Sequence, residues 1–297
     1  MSSFISGLDG VWTMAPPDLG KWCTGIVEGF IASPSNTFND IGEPAWDTPI
    51  VGFSSGADPL YAFYKRDIGD FYVQPIEFFS AAHPDVEAKP EELTVISWVL
   101  PQTKATKYDQ RKEKLMPSER WARARIMGEG VNMKLRAYVV AKLNEVGYPA
   151  VAPMASPLWK QYMSEKYLFA SSWSERHAAY AAGLGTFGLS DGLITSKGKA
   201  HRVGSVIAKI DIPTSPRPYK NHHAYCLFYA NGTCGACIKK CPAGAISTKG
   251  HDKQKCSDYV DTTHAFVEEH YNFKGYGCGF CQVGVPCESR IPEGIEL

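Results

Sequence analysis

Before residue 226 the chain has a single cysteine, Cys23, so disulfide stapling is excluded for that part of the molecule. No charge of either sign is in excess: Lys plus Arg number 31 and Asp plus Glu number 31. Neutrality argues against a large nucleic-acid footprint and against a membrane-surface protein, both of which are usually basic. No run of about 18 apolar residues occurs, so no membrane span is expected. The first twenty residues, MSSFISGLDGVWTMAPPDLG, show neither a basic segment nor a twin arginine, and a cytoplasmic location is expected. Aromatic residues, by contrast, are plentiful, with 15 Tyr, 14 Phe and 7 Trp. That is more than a plain electron carrier needs, and it points to a substantial core and a lined pocket.

The other eight cysteines lie in one stretch. It reads Cys226-x7-Cys234-x2-Cys237-x3-Cys241-Pro242, then Cys256, then Cys278-x2-Cys281-x5-Cys287. A [4Fe–4S] cluster takes four thiolates, so eight match two clusters. Disulfides would go with a secretory signal and cysteines spread through a small chain. Zinc sites could use the two Cys-x2-Cys pairs, but the Cys-x3-Cys-Pro ending fits them poorly. That run is the core of the bacterial ferredoxin signature, in which the cysteine before proline serves the other cluster. The crossing assigns Cys226, Cys234, Cys237 and Cys287 to a first cluster, and Cys241, Cys256, Cys278 and Cys281 to a second. The gap after Cys226 and the gap before Cys287 are both longer than usual, and both are read as enlarged loops around intact clusters. After Pro242, Ala243-Gly244-Ala245-Ile246 should pack behind the iron.

Residues 1–60, rich in Gly, Pro, Ser and Asp, suggest irregular wrapping structure with short helices; Cys23 is expected to be a buried, inert thiol. Leu93–Leu100 (LTVISWVL), closed by Pro101, predicts a buried strand. The charged stretch Lys104–Arg125 predicts a solvated helix face, although Arg120, Arg123 and Arg125 could meet an anion. Leu135, Val139, Leu143 and Val146 recur at helical spacing, with Gly147 as the stop. Tyr148–Met154 has strand character. Ser172 and Glu175 suggest a capping box for a short alanine-rich helix ended by Gly183 and Gly185, with Gly188 in the loop beyond. These glycines serve either turns alone or a close backbone approach to something bulky. His201–Ile212 predicts a strand, and Pro213, Pro216 and Pro218 mark a linker, with a cluster module beginning near Tyr219.

Glu175-Arg176, then Ala182-Gly183-Leu184-Gly185-x-x-Gly188, a strand, a proline-marked linker and two crossed clusters resemble the epoxyqueuosine reductases and reductive dehalogenases. The resemblance spans roughly residues 90–297. It implies a mixed α/β (α+β) fold: a nitroreductase-like corrinoid-binding core over residues 91–218, after an N-terminal wrapping region over 1–90. A ferredoxin-like 2[4Fe–4S] domain would follow over 219–297. It implies cobalamin as a cofactor beside the clusters, held base-off, with Gly183, Leu184, Gly185 and Gly188 at the corrinoid. No Asp-x-His-x-x-Gly stretch for a histidine-ligated corrinoid occurs. Tyr167 is the nearest candidate for a catalytic acid, ahead of Tyr162 and Tyr180. The position where epoxyqueuosine reductases place an acid falls near Phe169, and ten residues after Cys287 leave no room for an appended tRNA-binding repeat region. The function so implied is a cytoplasmic iron–sulfur oxidoreductase that passes electrons through its clusters to cobalt. Its partners would be a small-molecule substrate and a low-potential electron donor such as a ferredoxin, flavodoxin or reductase, without nucleic acid or membrane. A non-catalytic electron-transfer protein that reduces a partner's redox centre, and a variant epoxyqueuosine reductase acting on tRNA, are the alternatives.

Overall fold

The computed structural model describes residues 4–5, 13–14, 18–38 and 40–296. In chain order its elements begin with β1 (Phe4–Ile5), β2 (Thr13–Met14), α1 (Leu19–Ala32), β3 (Ile50–Ser55), α2 (Pro59–Ile68) and α3 (Pro75–Ala82). Next come β4 (Leu93–Pro101), α4 (Lys104–Lys112), α5 (Glu119–Glu145), β5 (Ala150–Val151), β6 (Gln161–Ser164) and β7 (Leu168–Ser171). Then follow α6 (Glu175–Ala181), β8 (Gly185–Phe187), β9 (Leu193–Thr195) and β10 (His201–Lys209). The last are α7 (Leu227–Asn231), α8 (Ala236–Lys240), β11 (Ile246–Ser247), β12 (Gly250–His251) and α9 (Lys253–Tyr271).

A four-stranded antiparallel sheet in the order β3-β4-β10-β5 organises the first part of the chain. Every residue of β4 is buried, which explains its largely apolar and β-branched run: helices cover both faces of the sheet. The strand's alternation sorts the two cores. Ile96, Trp98 and Leu100 face one core with Val206 and Ala208, against α1 and α5. Leu93 and Val95 face the other with Ile207, against α2, α3 and α6. Residues 18–90 therefore share one core with residues 91–218, because β3 pairs along β4 from Ile50↔Val99 to Ser55↔Thr94.

Of the irregular structure with short helices expected over residues 1–60, the turns and bends between Ser33 and Pro49 keep that character, whereas α1 and β3 are regular elements; residues 1–3, 6–12, 15–17 and 39 lie outside the described residues. In α1 three glycines disguise a helix whose Cys23, Val27, Phe30 and Ile31 form the buried face, capped by Asp18 accepting from Lys21 N at 2.9 Å. Cys23 is buried, and burial pushes its thiol up to about 12. In α5 the expected Leu135, Val139 and Leu143 are buried, and Gly147 follows the helix with φ +83°. Two of the arginines of that segment meet protein carboxylates, Arg120 pairing with Glu43 and Asp109 and Arg123 with Glu119 and Asp40, while Arg125 donates to Tyr276 Oη. The expected capping box at Ser172 does not form: the N-cap is Ser174, which makes no side-chain cap bond, its Oγ lying 2.7 Å from His177 Nδ1. Glu175 turns instead into the core, where Arg136 Nη2 lies 3.1 Å from its Oε1, and Ser205 Oγ donates to its other oxygen. Arg136 also meets Glu129 at 2.9 Å. Among the described residues, no helix is long and apolar enough to cross a membrane.

Candidate functional site

The cysteine-rich module folds around short elements. Cys226 sits at the N-cap of α7, Cys237 within α8, Cys241 at the C-cap of α8, and Cys256 within α9. The long gap after Cys226 holds α7 itself, a short helix closed by left-handed Gly232. Cys226, Cys234, Cys237 and Cys287 line one enclosed cavity together with Leu189, Ile194 and Lys199. Those four are the set that the ferredoxin crossing assigns to the first cluster, although Cys287 is fifty residues from Cys237. The other four interact with each other. Burial pushes Cys256 up to about 11 and Cys278 up to about 12, and the neighbouring Cys281 and Cys241 act on both in the same direction. Ala245 N donates to Cys241 Sγ at 3.3 Å, the kind of backbone bond that steadies a ligating sulfur, and Ala245 and Ile246 are buried behind it. Thiols this crowded and buried ionise readily only against a cation, which the iron of a cluster supplies. The donor set fits two [4Fe–4S] clusters.

A lysine is buried beside these sulfurs. Lys199, in the β9–β10 turn, is 3% exposed and donates from Nζ to Ser190 Oγ at 2.9 Å. Burial lowers its pKa, but the thiolates of Cys287, Cys281, Cys237 and Cys226 outweigh that and leave it above the ordinary lysine value.

A second cavity, of about 1470 Å³, opens where the α/β core meets the cluster module. Its walls come from α2, the β6–β7 hairpin, α6, the His222–His223 loop, Tyr229 of α7 and Lys253 of α9. Pockets for drug-sized ligands run to roughly 300–1,000 Å³, so this one suits a larger molecule. Much of the lining is apolar and uncovered: Phe63 is 45% exposed, Met163 62% and Phe169 43%. Large apolar side chains facing a cavity are the complement of a broad, flat partner. The hollow has the room and the apolar surface for a cofactor-sized molecule.

Within it the β6–β7 hairpin is tied to the end of α2. Ser164 Oγ donates to Ile68 O at 2.6 Å and accepts from Tyr167 N at 3.2 Å. This places Tyr167 Oη 2.5 Å from Asp67 Oδ2, to which it donates, while Lys166 Nζ donates to Oδ1 at 2.5 Å. Burial raises the Asp67 pKa, but the bonds from Lys166 and Tyr167 outweigh it and hold the carboxyl below its usual value. Burial, then the bond to that carboxylate, raises Tyr167. The phenol thus keeps its proton and the carboxylate stays ionised. Nearby, burial and then the charges of Arg176 and Lys253 press His177 down to about 3, so this imidazole is neutral. Arg176 is exposed on the cavity wall and donates to the carbonyl of Asp191, whose carboxylate lies 3.0 Å from His251 Nδ1.

Of the residues expected to form the site, Tyr167 lines the large cavity, Gly188 the cysteine cavity, and Gly183, Leu184 and Gly185 neither. Tyr162 and Tyr180 also line the large one. Gly183 (φ +77°) lets the chain turn where a Cβ would lie 2.3 Å from Pro216 O. Gly185 pairs with Thr195 in the β8–β9 hairpin, where a Cβ would lie 2.2 Å from Ile194 O. Leu184 packs on Gly52, and Gly188 lines the cysteine cavity. Sequence reasoning missed Asp67, Asp191 and Lys199, which carry no local motif. His177 lies in the short alanine-rich helix, at a position to which the sequence assigned no role.

Residues 231–286 match the family described as 4Fe-4S double cluster binding domain. Epoxyqueuosine reductase of Francisella cf. novicida (strain Fx1) is 32% identical over 125 residues, 40% of this chain and 33% of that protein. Epoxyqueuosine reductase of Bacillus anthracis is 27% identical over 159 residues, 52% of this chain and 35% of that protein. The matches span about a third of each relative's length. A variant of a catabolic reductive dehalogenase superposes with a TM-score of 0.50 at 12% identity, covering 93% of this chain and 38% of that one, a likeness of fold. The resemblance to epoxyqueuosine reductases and reductive dehalogenases therefore holds, in sequence with the first and in fold with the second. The mixed α/β core and the double-cluster domain that follows it are the architecture that resemblance implied.

Proposed function

We propose that this chain is an iron–sulfur oxidoreductase that holds a corrinoid in the large cavity and reduces a small molecule bound above it. The supporting observation is the shared wall. Phe63, Tyr162 and His177 of the α/β core face the same hollow as Tyr229, Lys253 and Ser257 of the cluster module, so a bound molecule touches both. When bound, the clusters supply electrons from an external low-potential donor and a corrinoid supplies a reducible cobalt centre. The chain's own residues then bind, orient and protonate. Phe63, Met163 and Phe169 offer apolar surface to the ring. Tyr167 holds a proton at Oη, and Asp67 orients that hydroxyl. Neutral His177 hydrogen-bonds without adding charge. Gly183, Leu184, Gly185 and Gly188 would then shape the hairpin behind the site.

Calorimetry with cobalamin tests this on anaerobically reduced, cluster-replete protein. Micromolar binding with a shifted corrinoid spectrum is the expected result. No binding in that range would sink the reductase reading and leave the electron-carrier reading in its place. A second reading, action on tRNA, draws on the relatives named epoxyqueuosine reductase and on Lys166, Lys220 and Lys253 along the cavity. It expects salt-sensitive binding of a tRNA stem-loop.

A further inference from the structure

The β9–β10 turn delivers a lysine deep into the sulfur-lined cavity with no carboxylate to meet it. Among the described residues Lys199 takes part in no ion pair, and Ser190 Oγ is its side-chain partner at 2.9 Å. A buried ammonium is costly unless an opposite charge compensates it. Lys199 shares the wall of one cavity with Cys226, Cys234, Cys237 and Cys287.

The fit is built, not incidental. Lys199 N donates to Cys287 O at 2.8 Å, which presses the turn onto the loop carrying that ligand. Gly198 (φ +81°) permits the approach, since a Cβ there would lie 2.2 Å from Glu288 O. Gly192 leaves room for the lysine stem, because a Cβ there would lie 2.7 Å from its Cδ. The aliphatic stem is thereby channelled and the ammonium held in place.

We propose that Lys199 is a fixed countercharge that raises the reduction potentials of both [4Fe–4S] clusters, the first more than the second. The proposal rests on the two-cluster reading of the cysteines. A [4Fe–4S] centre with four thiolates is anionic, and it gains one more negative charge when a low-potential donor reduces it. A cation held nearby favours the reduced form, and the effect is strong where water is excluded. One electron enters and no proton moves.

The test is a potentiometric titration, followed by EPR, of wild type, Lys199→Met and Lys199→Gln. Iron and acid-labile sulfide are counted first, so that failure of the two-cluster reading shows separately. Both neutral variants should retain both clusters and titrate at lower potential. The expected shift for the first cluster is about tenfold in the reduced-to-oxidised ratio at a fixed poise, ~59 mV for a one-electron couple. Unchanged or raised potentials in cluster-replete variants overturn the proposal. If neither neutral variant holds iron, Lys199→Arg decides. Assembly with arginine alone shows that the charge is needed at this place. Loss of the clusters with arginine too overturns the proposal, because the site then requires the shape of lysine and not its charge.

Discussion

The two cavities of this protein are walled on different principles. The small one is defined by valence: four cysteines, three of them within twelve residues of one another, share its wall. The large one is defined by area, with lining residues scattered from Leu60 to Ser257 and mostly contributing aromatic or aliphatic surface. A site built on valence fails when one ligand goes. A site built on area degrades by degrees and concentrates its specific chemistry in a few polar groups, here Tyr167, Asp67 and His177.

The sharpest break should come at the sulfurs. Cys287→Ala should reduce iron from about eight to about four per chain and remove the first cluster, although the residue lies beside Cys281 in sequence. Cys256→Ala should remove the second. Iron analysis with EPR of each variant checks the assignment; loss of only the second cluster in Cys287→Ala would falsify it.

The large cavity depends first on the ion pairs beneath α6. Arg136 is 1% exposed and holds Glu175, and burial already pushes that carboxyl up. Arg136→Met should therefore destabilise the fold by about 3–5 kcal/mol, since Glu175 is left buried without its partner. Chemical denaturation measures it, and a loss below ~1 kcal/mol would show that the pair is dispensable.

Within the cavity, Tyr167→Phe should lower turnover by about 10²-fold while leaving corrinoid affinity and iron content unchanged, the scale of a lost proton donor. Asp67→Asn should act in the same direction with a smaller effect. Steady-state kinetics with a reduced corrinoid-loaded enzyme checks both, and an unimpaired Tyr167→Phe enzyme would remove Tyr167 from the mechanism.

A further effect is expected on acid stability. His177 is held down at about 3 and His201 at about 4, both by burial first. Between about pH 6.5 and those values the unfolded chain binds protons that the folded one refuses, so stability falls as the pH drops through that window. The unfolding midpoint should decline from pH 6.5 to 4, and His177→Gln should flatten the decline. An equal slope in the variant would show that His177 is not the group responsible.

What could be read beforehand follows the range of the interactions. The strand at Leu93–Leu100 and the helix through Leu135, Val139 and Leu143 were legible because covering both sheet faces, or one helix face, prints a period on the residues themselves. In α1 the glycines masked the same signal. The charge run at Lys104–Arg125 showed a helix face but not that Arg120 and Arg123 would find Glu43 and Asp40. The Gly183–Gly188 stretch announced a special backbone, yet not what it accommodates, because Pro216 and Ile194 reach it only after folding.

By itself the sequence determined the cysteine grammar. Cluster ligation is a matter of residue type and spacing, both local, so the eight ligands and their crossing could be stated from the chain alone. Only the tertiary structure decided that Asp67 lies under Tyr167, that both parts of the chain wall one cavity, and that Lys199 stands among the sulfurs. Asp67 and Tyr167 are a hundred residues apart and meet because Ser164 ties a hairpin to the end of a helix. Lys199 reaches Cys287 because glycines at 192 and 198 clear its path. Such contacts depend on how separate elements close over one another, and no local pattern of side chains encodes that closure.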